Sequence, residues 1–383
     1  MNFQLSKAQK EIQKAAREFA KGKFDKDALL EADKAQAFPE DIRLQAAELG
    51  FIGIHYPEKY NGSEMGVFEN ALLAEALCQV DSGAGLALML SGFSAECLLR
   101  FAADDLKARW LPEVADGRVL GGAAFTEAAA GERLDAVQTL AREAAGEWVV
   151  NGRKSAVLNA GTAGFYCVLC RTKPDADPAG EALLLLVEAD RPGLYVQNPR
   201  EKLGMRMIPT ADLSFDEVRV PAENRIGKSG DGLKQAFSFY EEAWILIAAI
   251  ALGTARGAFT RALDYAKKRE QFGRPIARFQ VTGHKIAELA AQIEETAAFV
   301  YSAAESFDRG KSSPALAAMA KLRSCRTALG VTSEAIQLFG GYGYMREYEV
   351  ERFYRDAKAM SLFCGTEGYL KDVIAASVIG KLK

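Results

Sequence analysis

The chain has 383 residues, 49% of them apolar and 26% charged, with a formal net charge of −3. That length exceeds the size at which a single core stops growing, so two or three packed units are expected, and the composition is that of a folded protein. The charge gives no basic field for a polynucleotide and the apolar runs read as too short to span a bilayer, so neither nucleic-acid binding nor membrane insertion is expected.

The N-terminal "MNFQLSKAQKEIQKAAREFAKGKF" lacks an apolar stretch followed by a small-residue cleavage site, which makes a cytoplasmic location the default. Its helix formers and three-and-four spacing, repeated in "ENALLAEALCQV", predict a helical domain over residues 1–118. "ADDLKARWLPEVADG" reads as its last helix, with Pro112 close to a break and Gly117 ending the segment.

From residue 119 to 228 the pattern changes to short runs, "EWVVNG", "FYCVLCRT", "ALLLLVEA", "GLYVQN" and "DLSFDEVRV", separated by the turn signals "NGRK", "KPDADPAG" and "RPG". This predicts a central β domain, barrel-like or sandwich-like, with "KPDADPAG" an exposed loop between neighbouring strands. In a strand, Cys167 and Cys170 point to opposite faces, so the six scattered cysteines read as buried thiols rather than disulfides or a zinc site. With only His55 and His284, a histidine-rich metal site lacks material, and no metal is expected.

Residues 229–383 return to helix. "GLKQAFSFYEEAWILIAAIALGTARGAFTRALDYAKKRE" is longer than an ordinary globular helix and apolar nearly all round at its centre, which predicts burial. Two more long helices follow, giving a helical bundle. The whole is an α+β fold, mainly helical: helices, a β domain, then a four-helix bundle.

Three stretches carry candidate chemistry. "FTEAAAGER" opens the β domain. "REQFGRP" offers Arg269 for a phosphate and Phe272 for stacking on an aromatic ring, though it also reads as an exposed helix end before a turn. "QLFGGYGY" places Gly340 and Gly341 after a helix, where backbone approaches a ligand closely or merely caps the helix. The charges of "REYEVERFYRDAK" read by themselves as a solvated helix face.

Together, in this order, these stretches resemble the acyl-CoA dehydrogenase family. "FTEAAAG", "KLGMRMIPTADLSFDEVRVPAEN", "YAKKREQFGRPIARFQ" and "QLFGGYGYMREYEVERFYRDAK" are similar to the family's signatures, and the likeness covers essentially the whole chain. It implies an FAD flavoprotein, an acyl-CoA substrate, a homotetramer or heterotetramer with FAD at subunit interfaces, and an electron-transferring flavoprotein as electron acceptor. Carried over position by position, it implies that Thr126, Gly131 and Thr366 meet the flavin side. Arg269, Phe272, Gln280, Gln337, Gly340 and Gly341 are implied to hold the adenine half of a neighbour's FAD. Glu241 and Trp244 flank positions that in the family meet the acyl or CoA group, and are pocket candidates.

The likeness fails at the chemistry. The family's usual base, a Glu before "GT" that removes the α-proton while a hydride leaves the β-carbon, is here Cys364. The minority site for that base, on the long helix, reads Ala243, and the helical turn of about a hundred degrees per residue keeps Glu241 and Glu242 from inheriting its direction. Ala156 and Leu158 replace ring-covering groups, and Glu132 stands where a small hydroxyl would meet pyrophosphate or CoA, unless it points away or pairs with a cation such as Arg133.

Three readings follow. One is a flavin-dependent α,β-desaturase of fatty-acid metabolism with an atypical site, in which Cys364 or Glu367 serves as base. Another is a non-catalytic partner subunit that lends adenine-side contacts. The last is a base-less relative, either a flavin oxygenase or an acyl-CoA lyase.

Overall fold

A computed structural model describes residues 5–174 and 178–380. Seven helices come first: α1 (Lys7–Lys23), α2 (Lys26–Ala35), α3 (Glu40–Glu48), α4 (Val67–Val80), α5 (Ser82–Met89), α6 (Ala95–Phe101) and α7 (Asp104–Ala115). Their starts follow local chemistry. Ser6 and Gln9 form a reciprocal capping box on α1, and Asp25 accepts two backbone N–H groups at the start of α2. Pro112 does not break the last helix, which runs on through it for three more residues. So near a C-terminus the ring forfeits a single intrahelical bond.

The β region holds β1 (Gly121–Ala124), β2 (Leu140–Ala144), β3 (Glu147–Leu158), β4 (Phe165–Arg171), a short α8 (Pro178–Glu181), β5 (Ala182–Glu188), β6 (Leu194–Gln197), β7 (Thr210–Pro221) and β8 (Arg225–Ile226). They form one eight-stranded sheet in the order β6-β7-β3-β2-β4-β5-β8, with β1 parallel to β4. The two faces of the sheet feed two cores. Phe165, Cys167, Leu184 and Leu186 face the helices, while Tyr166, Cys170, Leu183 and Leu185 join a core made of strand residues and their flanks. Cys167 and Cys170 therefore lie on opposite faces, as strand alternation requires.

"NGRK" is not a turn. The strand β3 continues through it, and two register shifts against β7, at 150–152 and 154–157, absorb the irregularity. Gly152 is needed there because a Cβ would come within 2.7 Å of Thr139. Between β4 and β5, which pair antiparallel, residues 175–177 of "KPDADPAG" lie outside the described part.

The C-terminal region comprises α9 (Gly232–Lys268), a hairpin of β9 (Glu270–Gln271) and β10 (Arg274–Pro275), α10 (Gln280–Asp308), α11 (Pro314–Phe339), α12 (Val350–Met360) and α13 (Glu367–Ile379). The helices α9, α10 and α11 pack on one another, and α13 packs on α11. By length and composition α9 is long and apolar enough to cross a membrane, where the apolar runs of the sequence read as too short. However, 83% of its most apolar window is buried within the chain, as befits a core helix.

The charged run of α12 is not a solvated face. Arg352 and Asp356 are 2% and 1% exposed. Arg352 pairs with Asp81, whose other oxygen accepts from Ala84 N–H at 2.9 Å and caps α5. Asp356 accepts from Met205 N–H at 2.8 Å, and Arg355 reaches Asp33 of α2. So α12 ties the bundle to both other regions through buried charges, which periodicity alone cannot distinguish from a wet surface. Arg352→Met should leave Asp81 buried without its partner and cost about 3–5 kcal/mol in urea unfolding; a loss below about 1 kcal/mol, the worth of an exposed pair, would contradict this role.

Candidate active site

A cleft of about 240 Å³ lies where the three regions meet, lined by the segment after β1, the bulge of β3, α9 and the loop between α12 and α13. This is below the ~300–1,000 Å³ usual for small-molecule pockets. The segment after β1 is fixed from beneath. Glu127 is buried and accepts from Gln138 N–H (2.7 Å), Thr139 N–H (2.8 Å), Thr139 Oγ1 (2.7 Å) and Lys154 Nζ (2.8 Å). Desolvation pushes its carboxyl up, but Lys154 and Thr139 outweigh it and hold the group below its ordinary range. Lys154 also donates to Phe125 carbonyl at 3.1 Å, so one buried ammonium sets the start of the loop. Thr126 beside it lines the cleft, and its side chain hydrogen-bonds the Tyr240 phenol of α9.

The bulge brings Ala156 to the opposite side with φ 53°, held by Asp212, which accepts from Ala156 N–H at 3.0 Å and Ser155 Oγ at 3.1 Å. Ala156 and Leu158 both line the cleft. They offer it neither a ring nor a hydroxyl.

The loop after α12 forms the back wall. Lys321 is fully buried in α11 and donates to the carbonyls of Phe363 (2.5 Å), Cys364 (3.1 Å) and Gly365 (2.6 Å). Trp244 Nε1 donates to the Cys364 carbonyl at 2.5 Å. These two donors hold Cys364 at φ 52° with its thiol on the cleft wall. Burial pushes that thiol up to about 12, against the pull of the Lys321 ammonium. A lone lysine in an amphipathic helix reads as surface, so sequence gave no sign of Lys321.

Of the two residues read as possible bases, the cleft therefore takes Cys364 only. Glu367 sits on the outer side of α13, 46% exposed, bonded to Arg326 and to Lys371 at 2.6 Å. Arg326 first, then Lys371, hold its carboxyl down to about 2. Trp244, 2% exposed, serves the loop rather than a ligand, and Glu241 does not line the cleft. The neighbouring Glu242 is turned away behind the Phe93 and Phe239 rings, 4.9 Å apart. There it pairs with Arg100 at 3.1 Å, close to His55 and Glu96, and burial, then the Glu96 charge, pushes its carboxyl up to about 8.

One carboxylate does line the cleft, that of Glu132. It does not pair with Arg133, which bonds Asp135 at 3.2 and 2.8 Å. Its two oxygens instead accept from Thr366 N–H at 2.5 Å and Thr366 Oγ1 at 2.8 Å, at the N-terminus of α13. Gly131 beside it also lines the cleft, with φ 59°.

A second cleft of about 590 Å³ lies at the other end of the bundle, lined by Arg269, Gln337, Gly340 and Gly341 over Phe339, which stacks on Tyr265 at 4.2 Å. A Cβ added to either glycine would meet nothing within 4 Å, so the floor is open. Arg269 lies over the Tyr342 ring at 5.8 Å. Phe272 stands on the tip of the hairpin, 93% exposed with φ 51°, and Gln280 is exposed at the first turn of α10; neither lines this cleft.

Three family models match along the chain: the N-terminal domain of acyl-CoA dehydrogenases over residues 6–118, the middle domain over 122–218 and the C-terminal domain over 230–379. Cyclohexane-1-carbonyl-CoA dehydrogenase of Syntrophus aciditrophicus is 35% identical, over 91% of each chain. Butyryl-CoA dehydrogenase from Megasphaera elsdenii superposes with a TM-score of 0.94 at 32% identity, covering 99% of this chain and 100% of its own. A chain solved in work on the electron-transferring flavoprotein of Acidaminococcus fermentans superposes at 0.95 with 34% identity, over 100% of both.

With its thiol near 12, Cys364 should be a poor nucleophile in the folded protein. Iodoacetamide labelling at this position should rise about tenfold per pH unit from 7 to 10 without levelling off. A plateau below pH 9, read by peptide mass spectrometry, would show a thiolate and reopen the cysteine as a base.

Proposed function

Because the chain belongs to the acyl-CoA dehydrogenase family, whose members are FAD-dependent oxidoreductases acting on CH–CH groups, we propose that it is a flavin-sharing subunit of a hetero-oligomeric acyl-CoA dehydrogenase. Its own central cleft does not abstract an α-proton. One observation carries this: among the described residues lining that cleft the sole carboxylate is Glu132, and both its oxygens are engaged by Thr366. Base catalysis needs a group within hydrogen-bonding reach whose proton affinity suits neutral pH. Cys364 is too short and too weakly acidic, while Glu367 and Glu242 face elsewhere.

An FAD, were it bound, would supply an acceptor for a hydride from the β-carbon of an acyl thioester. The residues here fit its two halves unequally. The second cleft suits an adenine nucleotide: Arg269 supplies charge, Gln337 supplies hydrogen bonds, and Gly340 and Gly341 permit close approach. The central cleft suits a phosphate-linked ring poorly, since Ala156 and Leu158 offer no ring-side polar group and Glu132 holds the donors of Thr366. Phe272 on its exposed hairpin is free to meet a neighbouring chain, where the resemblance implies a contact with the adenine half of that chain's flavin. Leu90 and Phe93 on the central cleft suit an apolar acyl group. An electron-transferring flavoprotein is the proposed acceptor, supported by the likeness to the Acidaminococcus chain.

The isolated chain, incubated with excess FAD and desalted, should keep far less than one flavin per chain, and added acyl-CoA should not bleach it. Co-expression with a family chain that carries the Glu before "GT" should give a mixed oligomer with one flavin per pair of chains. Stoichiometric FAD in the isolated chain, reduced by an acyl-CoA, would refute the assignment.

A further inference from the structure

We propose that Glu132 is a built-in occupant of the anion seat at the N-terminus of α13, and that this side chain must leave before the central cleft accepts a phosphate-linked flavin. The inference rests on the family's flavin belonging in this cleft, and not on the assignment of the chain as a partner subunit.

A helix N-terminus presents unpaired N–H groups and a positive dipole end, which together favour an anion. On α13, thirteen residues long, the cap residue Thr366 makes no side-chain bond to its own helix. Its hydroxyl and its N–H both donate outward, and each meets one oxygen of Glu132. The arrangement is that of a bidentate oxyanion on a pair of convergent donors, but the anion comes from residue 132 of the same chain, across 234 positions of sequence. Arg133, the cation next to it in sequence, is turned to Asp135. Lys321 lies behind the same turn, buried, with its ammonium against the carbonyls of residues 363–365, and favours negative charge on the cleft side.

The seat also faces the right space. Gly131 precedes Glu132 on the cleft rim, and a Cβ there would meet nothing within 4 Å, so the backbone stands open to a ligand. A serine at 132 would leave Thr366 free to serve an incoming phosphate oxygen. A carboxylate both fills those donors and repels a phosphate in their vicinity, so occupation by Glu132 and by a diphosphate exclude one another. The alternative is that Glu132 merely latches the 125–139 loop to α13, in which case losing it weakens the fold without helping any ligand.

The test compares Glu132→Ser and Glu132→Gln with the parent chain, titrating FAD and riboflavin by flavin fluorescence, with thermal melting to confirm folding. Glu132→Ser should tighten FAD about tenfold or more, the worth of a charge-assisted hydrogen bond, while riboflavin, which has no phosphate, stays unchanged. Glu132→Gln, of the same shape without the charge, should fall between, and carries the test if the serine variant does not fold. Asp135→Asn, which removes a negative charge from the same loop without touching Thr366, should leave FAD binding as it was. The proposal is overturned if neither Glu132 variant tightens FAD, if riboflavin tightens equally, or if Asp135→Asn matches Glu132→Ser. Failure here leaves the partner-subunit assignment standing; stoichiometric flavin in the parent chain removes that assignment alone.

Discussion

At the N-terminus of α13 the Thr366 N–H and hydroxyl converge on a single carboxylate, that of Glu132. Much of the site follows from that bond. It links the loop after β1 to the start of α13 and engages the donors that a phosphate would need. It also engages the one carboxylate that the described residues place on the cleft wall, so the contact proposed to obstruct a cofactor also takes up the last candidate for a base.

Around that bond the scaffold is intact. Lys154 and Glu127 fix the loop from below, and Lys321 with Trp244 fixes the opposing turn by its carbonyls. Both are buried polar networks with their main donors satisfied, and breaking either strands a charge in low dielectric. The side chains at 132, 156, 158 and 364 line the cleft between these supports.

The order of helices, strands and helices was legible because hydrophobic period is a local property: the long apolar run became α9, and the thiols of Cys167 and Cys170 fell on opposite faces. That Cys364 and Ala243 stand at the two base positions of the resemblance is an expectation read along one line of text. What stayed hidden depends on partners distant in sequence. "NGRK" looked like a turn until β7 supplied a register for it, and "VERFYRDAK" looked solvated until Asp81 and Asp33 came to meet it. Glu132 was visible as a misfit, but its partner Thr366 was not, and neither was the buried ammonium of Lys321. Glu367 was offered as a base on sequence proximity, and the turn of α13 points it at Arg326 instead.

The most direct measurement is an experimental structure of the isolated chain in saturating FAD. This account predicts both Glu132 oxygens on Thr366 and no diphosphate at the start of α13. Flavin diphosphate seated in the central cleft while both Glu132 oxygens remain on Thr366 would contradict it.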